Sequence, residues 1–226
     1  MPKLLEPIRI GDGGPVVYWG IAGRQEEQPE ALARSILARA PGTSLLLAPY
    51  AVEDWGRDFS PWPCDAPAFG GGGRDTAAWL AQEAIPAAEG DAPAERHVRY
   101  LLGYSLAGLF SLWNFYESGL FRGAACCSGS LWFPGWTDYA AKAAAPDGSR
   151  VYLSLGGREE RSADPLMAQV GTLTRQQDAL LARDPGIAAH TLEWNAGGHF
   201  SDPIGRLAKG AVWLLNAGKA EKRSVK

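Results

Sequence analysis

The most constraining stretch of the sequence is residues 100–112, where the spacing of apolar residues changes within one turn. An apolar run ends at Gly103, and helical spacing begins directly after Ser105, which predicts a strand that turns sharply into a helix. A serine in so tight a turn has a strained backbone and needs small neighbours, which Gly103 and Ala107 supply. We interpret the stretch as a nucleophile elbow. The alternative is a buried strand followed by an ordinary core helix.

Size and composition indicate a single α/β domain covering residues 1–226. The chain is 46% hydrophobic, and no linker rich in proline or serine divides it. A net charge of −3 with scattered Lys and Arg excludes a basic stripe, so we expect neither nucleic acid nor a membrane surface as partner. No run approaches the roughly 20 apolar residues of a membrane span, and the N-terminus lacks signal-peptide features. We expect a cytoplasmic protein.

The cysteines and histidines do not predict a metal site. Cys64, Cys126 and Cys127 lack metal-type spacing, and their odd number argues against a disulfide scaffold. The three histidines form no H-x-x-x-H pair. We therefore expect reduced thiols and a mechanism that needs no metal or other cofactor.

Strands and helices alternate along the sequence. Residues 8–10 and 16–19 are predicted to pair as a hairpin at the sheet edge, and residues 49–73 to form a long loop. Further strands are predicted at 45–48, 98–102, 122–128, 151–155 and 191–194, and helices at 29–40, 76–88, 164–181 and 201–215. Such alternation requires crossover connections, which predicts a mostly parallel sheet with helices on both faces.

Polar residues that follow the strands suggest a catalytic set, because active groups in such sheets lie at the carboxyl ends of strands. Ser105 follows one strand, the pair Glu159 and Glu160 follows a later one, and His199 follows the last. The order Ser, acid, His is that of the hydrolase elbow fold. An imidazole would take the serine proton, and a carboxylate would fix the imidazole tautomer.

Other residues compete for these roles. Asp138 is a rival acid, although the glycine turn after the strand at 151–155 favours the glutamate pair. His97 and His190 precede their predicted strands and would lie at the wrong end of the sheet. We interpret both histidines as structural.

Several segments together resemble a known family. They are residues 55–62 (WGRDFSPW), 103–109 (GYSLAGL), 128–132 (SGSLW), 154–159 (SLGGRE) and 197–200 (GGHF). With these segments the chain resembles the esterase group of the α/β-hydrolases, which includes the enterochelin-esterase-like and S-formylglutathione-hydrolase-like enzymes. The resemblance implies a single-domain α/β-hydrolase fold. It also implies Ser105 as nucleophile, His199 as base and Glu159 as acid.

An acyl-transfer site also needs oxyanion donors and a substrate pocket. One oxyanion donor is expected to be the backbone N–H of Leu106, directly after the nucleophile. The other is expected to be the N–H of Tyr50 or Ala51, in the loop after the third predicted strand, residues 45–48. The pocket is expected along residues 49–73 and the aromatic residues that follow Leu131. The residues expected to contact substrate are Trp55, Arg57, Tyr104 and Trp132, with Phe133 and Trp136 nearby. For Arg57, a salt bridge to Asp58 or Asp54 is the favoured alternative.

The sequence thus predicts a serine hydrolase of small-molecule carboxylic esters that works through an acyl-enzyme on Ser105. One alternative is an acyltransferase that uses the same triad. Another is a non-catalytic binding protein that has kept the fold. The identity of the ester and the oligomeric state are left open.

Overall fold

The computed structural model describes residues 1–23, 28–65, 69–90 and 98–221, with side chains followed to residue 216. His97 lies outside the described residues. The strands are β1 (Lys3–Leu4), β2 (Ile8–Ile10), β3 (Val16–Ala22), β4 (Leu45–Val52), β5 (Arg99–Tyr104), β6 (Gly123–Cys127), β7 (Ser149–Gly156) and β8 (Ile187–Asn195). The helices are α1 (Gln28–Arg39), α2 (Trp55–Asp58), α3 (Gly73–Trp79), α4 (Ile85–Glu89), α5 (Leu106–Ser118), α6 (Trp136–Ala140), α7 (Val170–Leu181) and α8 (Pro203–Glu221).

The described strands form one mostly parallel sheet, as predicted. Its order is β1-β4-β3-β5-β6-β7-β8, and β2 also pairs with β4. The pairings of β1 and β2 with β4 are antiparallel, whereas all the other pairings are parallel. Strands β3 to β7 are buried along nearly their whole length, as expected of parallel strands covered on both faces, whereas the edge strand β8 is only partly buried.

The predicted edge hairpin of residues 8–10 and 16–19 is wrong. Strand β2 does lie at the edge on β4, but β3 runs between β4 and β5, parallel to both. Residues Val16 to Ile21 are buried throughout, which is the pattern of a central strand covered on both faces. The short turn-rich link between the two strands suggested local pairing, but the long-range pairing with β4 and β5 determines the fold.

Two hydrophobic layers cover the two faces of the sheet. On one face, α1 and α8 pack on β3 and β5, with Leu32 and Leu207 in the centre. On the other face, α5 supplies Leu109 and Phe110 to a core that also includes Leu181 of α7. Helices on both faces were predicted and are confirmed. In the described part of the chain, no helix combines the length and the apolar character that a membrane span requires.

Several element boundaries differ from those predicted. Strand β4 continues through Pro49 to Val52, and α2 interrupts the following loop. The helix predicted at 76–88 is α3 and α4 joined by a π-helical turn at Leu80–Ala84. That turn ends at Ala84, two residues before Pro86. Pro86 has no backbone N–H and therefore cannot donate the hydrogen bond that would continue a regular α-helix.

The last third of the chain shows two further differences. Strand β8 begins at Ile187, so His190 lies inside it and not before it; the His190 Nδ1 atom is 2.8 Å from Asp178 Oδ1. Helix α8 begins at Pro203, two residues after its predicted start, and Asp202 caps it, because the Asp202 Oδ1 accepts the N–H of Gly205. Ser201 Oγ instead accepts the N–H of Gly198.

Candidate active site

Ser105 lies at a strained turn between β5 and α5. Its φ and ψ are 58° and −124°, a conformation that is rare for any residue other than glycine. A Cβ atom on Gly103 would lie 2.0 Å from the carbonyl oxygen of Ala107, so only glycine fits there. The Ser105 N–H donates to the carbonyl of Cys127 on β6, which fixes the turn to the sheet. The predicted elbow geometry is confirmed.

The structure brings together the three residues predicted from the ends of three strands. His199 Nε2 is 3.1 Å from Ser105 Oγ, and His199 Nδ1 is 2.8 Å from Glu159 Oε2. Glu159 begins a short 3-10 turn after β7, and His199 lies in the loop between β8 and α8. The distances form a continuous hydrogen-bonded chain from hydroxyl to imidazole to carboxylate.

The second carboxylate oxygen of Glu159 is also fully engaged. Oε1 accepts hydrogen bonds from the N–H of Gly156 at 2.7 Å, from Ser128 Oγ at 2.8 Å and from Arg206 Nη1 at 2.8 Å. Burial acts to raise the pKa of Glu159, but the hydrogen bonds from His199, Ser128 and Gly156 outweigh it and hold the pKa below its usual range. The carboxylate therefore stays ionised beside the imidazole at neutral pH.

The rival acids lie elsewhere. Glu160 points away from His199 and forms an ion pair with Arg175, at 3.2 Å between Oε2 and Nη1. Asp138 is exposed in the first turn of α6 and borders a separate surface groove with Tyr116 and Lys142. Of the three acidic candidates, only Glu159 contacts His199.

The residues predicted as oxyanion donors lie in two different places. Leu106 is the first residue of α5, where helical N–H groups have no intrahelical partner. Tyr50 and Ala51, in contrast, lie inside β4, paired with Gly20 and Ile21 of β3 on one side and with β1 on the other. Neither borders the cavity beside Ser105, so the structure contradicts their choice.

The error has a topological cause. Tyr50 and Ala51 were chosen because they follow the third predicted strand, but the short strand β1 was not predicted. The third strand of the structure is therefore β3, which lies next to the elbow strand β5. The pairing of β3 with β5 ends at Trp19 and Leu102, and β3 continues to Ala22. The last residues of β3 therefore have an edge that β5 does not cover, close to Ser105, and Gly20 and Ile21 line the cavity there.

The predicted substrate contacts fall into two groups. Trp55, Tyr104 and Trp132 line the cavity that contains Ser105. Arg57 does not, because its Nη1 binds Asp58 Oδ1 at 2.8 Å and its Nη2 binds Asp75 Oδ2 at 3.0 Å. The salt bridge favoured from the sequence is thus present, with Asp75 as a second partner.

Two aromatic residues that follow Leu131 also lie outside the cavity. Phe133 and Trp136 are buried in the core, and Trp136 Nε1 donates to Gln177 Oε1 at 3.0 Å. A run of aromatic residues after a strand does not itself distinguish a pocket wall from a core. Of this run, only Trp132 reaches the cavity.

The cavity has a volume of about 590 Å³, which is within the range of small-molecule sites. Its apolar wall comes from β3, α2, the loop after β6, and the segments that precede and begin α7 and α8. The large apolar residues of the wall are Trp19, Ile21, Trp55, Trp132, Met167, Val170, Phe200 and Leu207. Among the described lining residues, only Glu159 and His199 carry ionisable acid or base groups besides the phenol of Tyr104. Phe200 stands at the mouth, 89% exposed.

Sequence reasoning missed Arg206, whose guanidinium donates hydrogen bonds to Glu159, Ser128 and Tyr104. Its side chain lies behind Glu159 and His199 and is 2% exposed. A signal was present, since Arg206 is in helical register with Gly210 and Leu214, both on the buried face of α8. The sequence analysis also missed Ser130, whose Oγ lies 3.4 Å from Ser105 Oγ.

Within residues 1–23, 28–65, 69–90 and 98–221, no three His, Cys, Asp or Glu side chains converge as a metal site would require. Cys64, Cys126 and Cys127 are free thiols.

Comparison with known proteins identifies relatives by family and by fold. The family model described as "Putative esterase" matches residues 15–209. No curated protein matches the chain. Three similar solved structures are a siderophore hydrolase, EstA, from Aspergillus nidulans, an IroE-like serine hydrolase from Shewanella oneidensis, and the enterobactin esterase FES from Shigella flexneri.

These structures share the fold at low sequence identity. EstA is 18% identical to this chain with a TM-score of 0.69, and the aligned region covers 92% of this chain and 84% of EstA. The IroE-like hydrolase is 17% identical with a TM-score of 0.74, covering 96% and 80%. The enterobactin esterase is 20% identical with a TM-score of 0.66, covering 93% and 55%. Because the family model spans most of the sequence, the chain belongs to this esterase family of the α/β-hydrolase group.

Proposed function

We propose that the protein is a serine hydrolase of carboxylic esters that works through an acyl-enzyme on Ser105. In the first step, Ser105 Oγ attacks the ester carbonyl carbon while His199 Nε2 takes the hydroxyl proton. The oxyanion accepts hydrogen bonds from the N–H of Leu106 and from the free edge of β3 near Ile21. Glu159 holds Nδ1–H of the imidazole and stabilises its charged form.

The second half of the reaction regenerates the serine. The tetrahedral adduct collapses, the carbon–oxygen bond to the alcohol breaks, and the proton on His199 Nε2 passes to the departing oxygen. Water then attacks the acyl group on Ser105 with His199 again as base. The free acid leaves, and Ser105 Oγ recovers its proton.

The observation that supports this proposal best is the unbroken chain of short distances at a strained elbow. Ser105, His199 and Glu159 come from three separate strand ends, yet they lie 3.1 Å and 2.8 Å apart in the required order. The hydroxyl end of this chain opens into the 590 Å³ cavity, where an ester could reach it. Membership of an esterase family supports the same chemistry.

The cavity wall favours esters with an uncharged, apolar acyl group. Its described charged group, Glu159, is already bonded to His199 and Arg206, so it cannot serve a substrate. Desolvating a charged acyl chain against Trp19, Trp55 and Met167 would cost free energy without compensation. Two of the similar structures are named as siderophore or enterobactin hydrolases, so esters of that kind are the second substrate class to test.

The decisive experiment compares two serines at opposite ends of the same helix. Ser105→Ala should reduce kcat for p-nitrophenyl butyrate by about a millionfold, because no other group supplies the acyl-enzyme. Ser118→Ala, at the last residue of α5, should keep the parent rate. Unchanged turnover in a folded Ser105→Ala variant would exclude the mechanism.

The substrate range and the molecule that accepts the acyl group are both measured with the unsubstituted enzyme. p-Nitrophenyl esters of acetate, butyrate and octanoate should be hydrolysed faster than the anionic mono-succinyl ester. The product with butyrate should be free butyric acid even when an alcohol is added as acceptor. Transfer of the butyryl group to that alcohol as the main product would instead support the acyltransferase alternative.

A further inference from the structure

One buried arginine binds both the acid Glu159 and the loop that carries the base His199. Arg206 lies in the first turns of α8, and its guanidinium does not line the cavity. Nη1 lies 2.8 Å from Glu159 Oε1, 2.8 Å from Ser128 Oγ and 3.1 Å from Tyr104 Oη. Nη2 donates to the carbonyl oxygens of Ala196 at 3.1 Å and Gly198 at 2.9 Å.

The contacts of Nη2 hold the loop that carries His199. That loop contains two consecutive glycines, and Gly197 has a φ of +90°, so the backbone there has many accessible conformations when it is not restrained. Arg206 binds the carbonyls on both sides of Gly197. Tyr104 Oη, itself bonded to Arg206, donates to the carbonyl of His199 at 2.5 Å. The backbone around the imidazole is thus fixed by one guanidinium and one phenol.

The contact of Nη1 holds the carboxylate of Glu159. Because Oε1 is bound by Arg206, Ser128 and the N–H of Gly156, the carboxyl group cannot rotate freely. Oε2 therefore remains directed at His199 Nδ1. A guanidinium has donors in a rigid planar fork, so one side chain can fix an acid on one edge and a loop on the other.

We propose that Arg206 is a positioning residue that sets the alignment of His199 with Glu159 and, through it, with Ser105. This role rests on the proposed function, because it acts through the same triad. It differs from ordinary stabilisation of the fold. A buried ion pair that only stabilises should change unfolding and leave the chemical step untouched.

The chain contains a matched control for that distinction. Arg99, at the start of β5, is also buried and forms an ion pair with Glu89 at 2.6 Å, at the other end of the strand from Ser105. We would measure kcat, KM and thermal unfolding for Arg206→Met, Arg206→Lys, Arg99→Met and Arg99→Lys with p-nitrophenyl butyrate. Methionine removes the charge and the donors, and lysine keeps the charge without the planar fork.

We expect Arg206→Met to lower kcat by about a hundredfold, the loss that follows when a catalytic group is displaced by about 1 Å. KM should stay within about threefold of the parent, because Arg206 does not touch the cavity and the lost interaction acts on the chemical step. Arg206→Lys should fall between Arg206→Met and the parent. Arg99→Met should lower the melting temperature and leave kcat unchanged.

Several results would overturn the role. These are a folded Arg206→Met variant with the parent kcat, a rise in KM at constant kcat, or an equal loss of kcat in Arg99→Met. If Arg206→Met does not fold, Arg206→Lys is judged by the same criteria. Ser105→Ala separates the two proposals: if it stays active, the proposed function fails, and if it is inactive while Arg206→Met is fully active, only the positioning role fails.

Discussion

Two buried arginine–glutamate pairs lie at opposite ends of the sheet and use their carboxylates differently. At the amino end of β5, Arg99 binds both oxygens of Glu89, and Tyr18 Oη donates to Oε1 as well. At the carboxyl end of the sheet, Arg206 binds only Oε1 of Glu159. Oε2 of Glu159 is left to His199, at 2.8 Å.

The difference separates a buried ion pair that belongs to the proposed catalytic site from one that does not. In both pairs the side chains are no more than 9% exposed, so burial alone does not separate them. In the pair at Glu89, both carboxylate oxygens bind groups that do not titrate near neutrality, namely Arg99 and Tyr18. In the pair at Glu159, one carboxylate oxygen binds the imidazole of His199, and that imidazole lines the cavity beside Ser105. We infer that the first pair stabilises the fold and that the second also serves the reaction.

The largest expected contrast comes from the same substitution in both pairs. Glu159→Gln should lower kcat by about ten-thousandfold, as an amide can hold the wrong imidazole tautomer; the figure is that of the corresponding serine-protease change. Glu89→Gln should leave kcat within about twofold, because it lies far from the reacting atoms. Steady-state kinetics with p-nitrophenyl butyrate measures both.

Two further carboxylates serve as controls for the assignment of the acid. Glu160→Gln should stay within a few-fold of the parent, since its exposed ion pair with Arg175 contributes little. Asp138→Asn should have no effect. A large loss in either variant with Glu159→Gln nearly active would show that the acid is wrongly assigned.

The next contrast concerns how much stability recovers when both the arginine and the glutamate of a pair are replaced. Arg99→Met alone should cost about 3–5 kcal/mol of unfolding free energy, because Glu89 is left buried and unpaired. The double variant Arg99→Met with Glu89→Met should recover most of that loss. The double variant Arg206→Met with Glu159→Met should recover stability without recovering kcat. Denaturant unfolding and kinetics on the same samples test this, and parent-like kcat in the second double variant would refute the comparison.

A smaller effect is expected at the mouth of the cavity. Phe200 is 89% exposed, lines the cavity, and its ring meets that of His199 edge to face at 5.0 Å; we infer that it contacts the alcohol part of the ester. Phe200→Ala should lower kcat/KM for aryl esters about three- to tenfold and spare the methyl ester of the same acid. Leu120→Ala, an exposed apolar residue just before β6, is the control and should not discriminate between the esters. An equal loss on both esters would contradict a contact with the alcohol.

The smallest effect is expected for the thiols of β6. Burial raises the pKa of the Cys127 thiol to about 12, and it raises that of Cys126 as well. Neither should react with an aromatic disulfide reagent in the folded protein, whereas the partly exposed Cys64 should. Dithiothreitol should leave the melting temperature unchanged. Rapid modification of all three thiols without unfolding would contradict their burial.

Sequence patterns predicted the proximity of the three proposed catalytic residues better than the order of the strands that carry them. Ser105, Glu159 and His199 could be found because each follows a recognisable strand, and residues at the carboxyl ends of parallel strands converge. The position of β3 could not be found in this way, since its pairing with β4 and β5 depends on residues far apart in the chain.

The residues that were missed share a physical reason. Tyr50 and Ala51 were chosen by counting strands along the sequence, and the two-residue strand β1 was too short to be predicted, so the count was off by one. Arg206 was overlooked because its partners come from four other segments of the chain, although helical register placed it on a buried face. A charged residue in a buried register is therefore a signal that sequence reading can use.

The most direct test of the proposed chemistry is to find the atom that becomes covalently modified. The parent enzyme is treated with a fluorophosphonate, digested and mapped by mass spectrometry. We expect one phosphonyl group on Ser105, much slower labelling in Arg206→Met, and parent-like labelling in Arg99→Met. Labelling of Ser130, whose hydroxyl lies 3.4 Å from that of Ser105, or no labelling of the active parent, would contradict Ser105 as the nucleophile.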